Sequence, residues 1–414
     1  DNLPIIPDTF TLVPRQVRTE KGYKPDSGVV AQIKVIKRLF DASEQIIVAT
    51  DAGREGELIF RYLYHYTGCT TPFVRLWISS LTDKAIREGL RNLEAGDKYD
   101  NLYLAAKARS ESDWLVGING TQALSIAAGH GTYSIGRVQT PTLALIVNRQ
   151  LEIENFVPKQ YWELKTVYRD TTFSAIIRKS EEELVLEAEK NKEAIAAGKK
   201  PKKEEENRGI DPIANQEQGM ALLEQIRNSP FMITDVTKKE GKEAPPRLFD
   251  LTSLQVECNK KFAYSADETL KIIQSLYEKK VATYPRVDTT FLSDDIYPKC
   301  PGILKGLRDY ATFTTPLDGT TLLKSKKVFD NSKVTDHHAI IPTGQYSQNL
   351  TDMERRVFDL IARRFIAVFY PDCRFATTTV LGVVEEIEFK TTGKQILEPG
   401  WRVIFGTPGC LLYT

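Results

Sequence analysis

The 414-residue chain carries 56 Lys and Arg against 55 Asp and Glu, a net charge of +1, with 41% apolar and 27% charged residues. This composition excludes a disordered or fibrous chain, and the length allows roughly two to four domains of about 100–200 residues. No apolar run approaches the roughly 18 residues that a membrane helix needs. The start, DNLPIIPDTF, has neither the basic nor the apolar region of a signal peptide. Five scattered cysteines without a CxxC pair argue against a zinc ribbon and for free thiols in a reduced, intracellular protein. The balanced charge neither demands nor excludes a polyanionic partner, because a basic groove can lie within a neutral chain.

Residues 1–30, rich in Pro, Thr and charge, read as an irregular surface segment. Val29–Phe40 has helical spacing of its apolar positions, and Gln45–Ala49 (QIIVA) is a short β-branched run suited to a buried parallel strand. Glu55–Tyr66 reads as the following helix, so the acidic loop between them lies at the carboxyl end of a strand, where open α/β sheets place ligands. Asp83–Glu94, Tyr99–Ala127 and Leu143–Glu152 are expected helices, with a break at Gly129–Gly131. Tyr161–Arg178 and Phe231–Lys239 read as strand, and Ser180–Arg208, dense in Glu and Lys, as a solvated helix followed by an exposed loop. Beyond Pro245-Pro246, Thr252–Phe262 and Ala266–Lys279 form a helix pair with a short junction, Thr351–Phe369 is helical, and Cys373–Phe389 is β-rich. Strand-rich segments on both sides of a helical stretch predict one β domain interrupted by a helical insert. No repeat of solenoid period occurs.

Four clusters carry chemistry, and each has a structural alternative. ATDAGREGELIF (Ala49–Phe60) sets Asp51, Glu55 and Glu57 at a strand–helix junction, where carboxylates hold Mg²⁺ or simply complement a helix start. ATYPRVDTT holds Tyr284 and Arg286; a free tyrosine has a pKa of about 10, so a nucleophilic phenol needs a nearby cation, whereas an isolated YPR is equally a core tyrosine beside a surface arginine. Thr335–Thr343 (TDHHAIIPT) holds His337 and His338, half of the chain's four histidines, able to bond a phosphate or shuttle a proton, or to act as a satisfied structural pair. SIGRVQTPTLALIV (Ser134–Val147) puts Arg137, Gln139 and Thr140 just before a helix; these are donors for a nucleic-acid backbone, while Thr140 as N-cap and Pro141 at the first helical position explain the same residues structurally.

In combination and order these segments, with RLWISSLTDKAI (Arg75–Ile86), RSESDWLVGIN (Arg109–Asn119), LFDLTSLQ (Leu248–Gln255) and EPGWRVIFG (Glu398–Gly406), resemble the type IA DNA topoisomerases and, within them, the bacterial topoisomerase III branch. The resemblance spans about Gln45 to Gly406. It implies a multidomain α/β, α and β chain: a Toprim (Rossmann-like) domain with helical and β-arch domains arranged as a torus. The implied divisions are Toprim 1–90, the first part of a single-strand groove domain 91–158, arch 159–235 and 345–395, helical domain 236–344, and a groove re-entry at 396–414. It implies ATP-independent cleavage of single-stranded DNA through a 5′-phosphotyrosine, strand passage and religation, relaxing negative supercoils and decatenating DNA; no GxxxxGK[ST] motif occurs. Tyr284, Arg286, His337 and Glu55 would be catalytic, Asp51 and Glu55 would bind Mg²⁺, and Arg75, Arg109, Arg137, Gln139, Thr140 and His338 would contact DNA. A monomer with a helicase partner, cytoplasmic and nucleoid-associated in a bacterium, is the matching expectation.

Two departures stand out. The family's Asp-x-Asp-x-Glu has Gly53 at its second Asp, which removes one carboxylate. No strand bearing the family's Glu and following Lys precedes Gln45, so the chain reads as an internal fragment, and a cleavage-deficient single-strand-binding fragment is the alternative function. A Toprim nuclease or primase has no use for TYPR or GRVQTP, and a tyrosine recombinase has none for the acidic loop.

Overall fold

A computed structural model of the chain describes residues 3–20, 22–78, 83–158, 160–177, 213, 215–334, 337–346 and 349–406. The stretch expected as a solvated helix and loop, Ser180–Arg208, lies outside these. The chain forms two compact units, one from residues 1–155 and 247–369 and the other from 156–246 and 370–414.

The first unit starts less irregularly than its composition suggests. Strands β1 (Gln16–Thr19) and β2 (Gly22–Pro25) form an antiparallel hairpin whose open end is closed by an Arg15–Asp26 ion pair. Strands this short and polar carry no alternating apolar signal. Asp26 then caps α1 (Ser27–Asp41), accepting from the Gly28 and Val29 amides. Strand β3 (Ile46–Val48), helix α2 (Arg54–Tyr66) and strand β4 (Phe73–Arg75) make a βαβ unit with parallel strands, in register Ile46↔Phe73 and Val48↔Arg75. Phe60 on α2 packs against Phe40 and Phe73 beneath this sheet. Helix α3 (Asp83–Arg91) ends earlier than expected. The Asn92 amide bonds the Glu88 and Gly89 carbonyls, and Glu94–Ala95 becomes β5, antiparallel to β4. Helix α4 (Asp100–Ala128) follows and stops at Gly129, whose φ of 73° suits a glycine, and α5 is Gln139–Glu154.

The second unit is a five-stranded antiparallel sheet in the order β6 (Lys165–Tyr168), β7 (Thr171–Ala175), β10 (Ile387–Glu398), β9 (Cys373–Val384), β8 (Met232–Glu243), with helix α6 at Gln216–Ile226. Phe173, Ala175, Val384 and Phe389 bury against Ile226 and Leu222 of α6. Register pairs such as Glu243↔Cys373 and Ala175↔Phe389 join strands on the two sides of the intervening helical segment, the interrupted arrangement that the strand distribution predicts.

That helical segment returns to the first unit. Helices α7 (Leu251–Phe262) and α8 (Ala266–Glu278) each begin with a capping box, Asp250 with Ser253 and Ser265 with Glu268. A short helix α9 (Cys300–Gly306) and α10 (Asp352–Ala367) complete it. Val357, Leu360 and Ile361 of α10 share a core with Leu254, Cys258, Ile273 and Leu276. The boundary expected at 344 therefore lies at 369: α10, assigned from sequence to the arch, buries its apolar face in the helical core. Cys69, Cys258, Cys300 and Cys373 are buried free thiols, and burial pushes Cys258 up to about 11. Among the described residues, no helix is long and apolar enough to cross a membrane.

Glu354 ties α10 to α8. It is buried, completes the Thr351 capping box, and accepts from Ser275 Oγ at 2.7 Å and Lys279 Nζ at 2.7 and 2.8 Å. Burial alone would raise its pKa, but the bonds from Lys279, Ser275 and Thr351 outweigh it and hold the carboxyl at about 2. A folded-state pKa below the unfolded one means stabilisation that is complete above about pH 4.5 and fades as pH falls towards 2. Glu354→Gln is expected to lower stability at pH 7 by roughly 2–3 kcal/mol. Urea titrations should show that deficit shrinking steadily between pH 4.5 and pH 2.5.

Candidate active site

The acidic loop leaves β3 and enters α2 through Gly53, the helix N-cap, which has extended backbone and no capping side chain. Asp51 therefore does not cap the helix, and its carboxylate is 68% exposed. Glu55, in the first turn of α2, is 69% exposed and lies 3.3 Å from Arg109 Nη1 of α4. Gly56 lies so close beneath the loop that a Cβ there would meet the Asp51 carbonyl at 2.2 Å, and Thr50 Oγ donates to the Gly56 carbonyl. The loop is thus folded back on the first turn of its own helix.

Glu57 departs from its sequence reading as part of a carboxylate cluster. It is fully buried, with one oxygen accepting from Arg61 Nε at 2.8 Å and the other from Arg75 Nε at 3.0 Å. It cannot reach a metal ion in solvent. Arg75, expected against DNA, is likewise fully buried and donates to the carbonyls of Val48, Thr50 and Asp51, so it presents nothing to a nucleic acid. Both corrections have one cause: a buried charge is tolerated only when paired, and these two pair with each other.

The second half of the site comes from the helical segment. Ala282 and Pro342 form an antiparallel bridge, the Thr283 amide donates to the Ile341 carbonyl at 3.0 Å, and the Ile341 amide donates to Thr283 Oγ at 3.0 Å. This pairing sets Tyr284 beside the histidine segment. The Tyr284 and His337 rings lie 4.4 Å apart, tilted by 44°, and Tyr277 packs edge-on to Tyr284. His337 Nε2 is 3.9 Å from Asp51 Oδ1, beyond a hydrogen bond but within charge range. A phenol, an imidazole and an acidic loop far apart in sequence are therefore neighbours within one compact unit. Arg286 is exposed and has no hydrogen bond or ion pair among the described residues.

His338 turns inward from this cluster. Its Nδ1 lies 2.8 Å from the Ala339 carbonyl, and burial lowers its pKa below the ordinary histidine value. Arg137 pairs with Asp113 of α4, holding that carboxyl below its usual range. The pair is half-exposed on both sides, so its net worth is small. Gln139 is exposed at the start of α5. Thr140 is not the N-cap: Val138 holds that place, and the Thr140 hydroxyl accepts from the Gly136 amide at 3.1 Å, so the helix starts two residues earlier than the Thr-Pro pair suggests.

The donor set suits a hard divalent cation. Asp51 and Glu55 offer exposed carboxylate oxygens on one loop, as Mg²⁺ accepts when it keeps most of its water. Among the described residues, no group of three or more His, Cys, Asp or Glu forms a closed metal cage.

The DNA topoisomerase family model matches residues 97–409. The chain is 36% identical over 410 residues to DNA topoisomerase 3 of Bacillus subtilis and 37% identical over 410 residues to that of Bacillus cereus. Each alignment covers 98% of this chain and 51% of the relative, so the chain spans about half the length of these relatives. Among solved structures, full-length topoisomerase I of Thermotoga maritima shares the fold, with a TM-score of 0.63 at 22% identity, over 95% of this chain and 60% of that one. With three quarters of its length matched by the family model, the chain belongs to the type IA DNA topoisomerase family.

Proposed function

We propose that this chain carries the strand-cleaving centre of a topoisomerase III-like enzyme, with Tyr284 as nucleophile. The observation that carries the proposal is the meeting of Tyr284, His337 and Asp51. In the reaction, the Tyr284 phenol oxygen attacks a phosphodiester of single-stranded DNA. The phosphorus–tyrosine bond forms, the bond to the 3′ oxygen breaks, and that oxygen gains a proton. One ester replaces another, so the step is reversible without ATP, and the freed 3′-hydroxyl reseals the strand after passage.

Each residue has a physical task in this scheme. The exposed Arg286 guanidinium is a fork of donors suited to the scissile phosphate, whose charge grows in the transition state. His337, in ring contact with Tyr284, is placed to take up the phenolic proton or to bond a phosphate oxygen. Asp51 and Glu55 would hold Mg²⁺, which supplies positive charge for the phosphates when bound. Arg109, Arg137 and Gln139 line exposed positions on or beside α4 and α5, where backbone phosphates of a single strand would replace Glu55 and Asp113 as anionic partners. Relaxation of negative supercoils and decatenation, a helicase supplying single strands, monomeric action and a nucleoid location complete the reading.

Tyr284→Phe is expected to abolish the covalent oligonucleotide adduct seen as label transfer on a denaturing gel, while affinity for single-stranded DNA stays within about twofold because a lone hydroxyl adds little to backbone binding. An adduct formed undiminished by Tyr284→Phe would reassign the nucleophile. Chelation with EDTA, or Asp51→Asn combined with Glu55→Gln, should lower adduct yield at least about tenfold while DNA affinity changes far less, since both remove metal binding and neither removes a Lys or Arg contact to the DNA backbone.

A further inference from the structure

The two exposed carboxylates of the acidic loop have no structural bond that fixes the loop's backbone. The Asp51 carboxylate is 68% exposed and, among the described residues, approaches only His337, and Glu55 meets only a half-exposed Arg109. Their positions depend on where the main chain of residues 48–55 is held. Beside the strand pairing, in which the Leu76 amide donates to the Val48 carbonyl, the Arg75 side chain holds that main chain from below. Arg75 Nη1 donates to the Val48 carbonyl at 3.0 Å and the Thr50 carbonyl at 2.7 Å, and Nη2 donates to the Asp51 carbonyl at 2.6 Å. The Asp51 carbonyl also accepts from the Gly53 amide at 2.8 Å, which closes the turn on the same point.

A guanidinium at zero exposure needs a counter-ion, and Glu57, equally buried, supplies it. The second oxygen of Glu57 goes to Arg61, whose Nη2 reaches the Gly96 carbonyl at 2.9 Å and Asp100 at 2.6 Å, at the start of α4. The same helix carries Arg109, which faces Glu55. The loop is thereby referenced to α4 at two points, Asp100 and Arg109.

We infer that Arg75 is a positioning residue: with Glu57 and Arg61 it clamps the carbonyls of residues 48–51 so that Asp51 and Glu55 stand at a fixed height opposite Tyr284 and His337. The role toward metal rests on the reading of Asp51 and Glu55 as Mg²⁺ carboxylates; the clamp itself does not. The fork is essential, because three loop carbonyls, the Leu76 carbonyl and one carboxylate are served from one planar group, and the point charge of a lysine cannot span them.

The test uses the full chain with Arg75→Lys and, as an independent second variant, Glu57→Gln, which keeps the side-chain shape and removes the counter-charge. Circular dichroism melts establish folding. Hydrogen–deuterium exchange then reads the peptide covering residues 49–57. The expected result in either folded variant is exchange of that peptide accelerated by about tenfold or more, as for release from a locally stable unit, with the amides of α7, α8 and α10 unchanged. The Mg²⁺ concentration for half-maximal adduct formation on a single-stranded oligonucleotide should rise by roughly tenfold or more, with yield recovering at saturating Mg²⁺ and DNA affinity in EDTA unchanged. A merely structural lesion would lower yield at every Mg²⁺ concentration. Unchanged loop exchange, or a loss of DNA affinity in EDTA with an unchanged Mg²⁺ requirement, would overturn the inference, the latter by making Arg75 a DNA contact. If the wild-type chain forms no adduct, the proposed function fails, and the exchange measurement still decides the clamp. If Arg75→Lys does not fold, Glu57→Gln decides both readouts.

Discussion

A glutamate at the end of the first turn of α2 shares its two oxygens between two arginines, and the candidate site depends on that arrangement. Asp51 and Glu55 must face solvent to meet a cation or a phosphate, so neither can anchor the loop that carries it. Glu57, two residues further on, does the opposite: it gives up contact with water so that Arg75 can be buried beneath the loop carbonyls. Acidic residues that look equivalent in the string DAGREGE are divided between exposed ligands and a buried counter-ion, because one direction from a strand–helix junction leads to solvent and the other to the core.

The opposite wall of the site has a different foundation. Tyr284 and His337 are brought together by a short backbone pairing between residues 282–283 and 341–342, seated on the core of α7, α8 and α10. The phenol is therefore set by main-chain hydrogen bonds and apolar packing, and the acidic loop by a charge lattice. Asp51, Glu55 and Arg286 are left exposed.

Much of this was legible in the sequence, for physical reasons that can be named. The βαβ unit showed itself through the apolar run 45–49 and the periodic helix after it, and the helices expected at Thr252–Phe262, Ala266–Lys279 and Thr351–Phe369 lie within a residue or two of those observed. The interrupted sheet followed from strand-rich segments on either side of helices. What pattern cannot supply is the partner of a charge. Nothing in RLWISS says that its arginine points inward, although the spacing of Glu57 and Arg61, four apart, was a signal that Glu57 had a partner on its own helix. The hairpin at residues 16–25 was hidden by polar strands, and α10 went to the wrong unit because its amphipathic stripe fits a helical core or a sheet face equally well. Thr140 followed a valid capping rule but was overruled by a hydroxyl that accepts from Gly136.

The order of strands in the second unit bears on how the protein is made. Among the described residues, strand β8 pairs only with β9, and β7 reaches the middle of the sheet only through β10, yet residues 247–369 lie between these partners. During synthesis, β8 leaves the ribosome with its hydrogen-bonding edge unmatched and waits for more than a hundred residues of unrelated helix; at roughly 5–20 residues per second that delay is on the order of ten seconds. The run of lysines and glutamates along β8, from Lys238 to Glu243, gives this waiting edge a charged character that discourages pairing with other nascent chains.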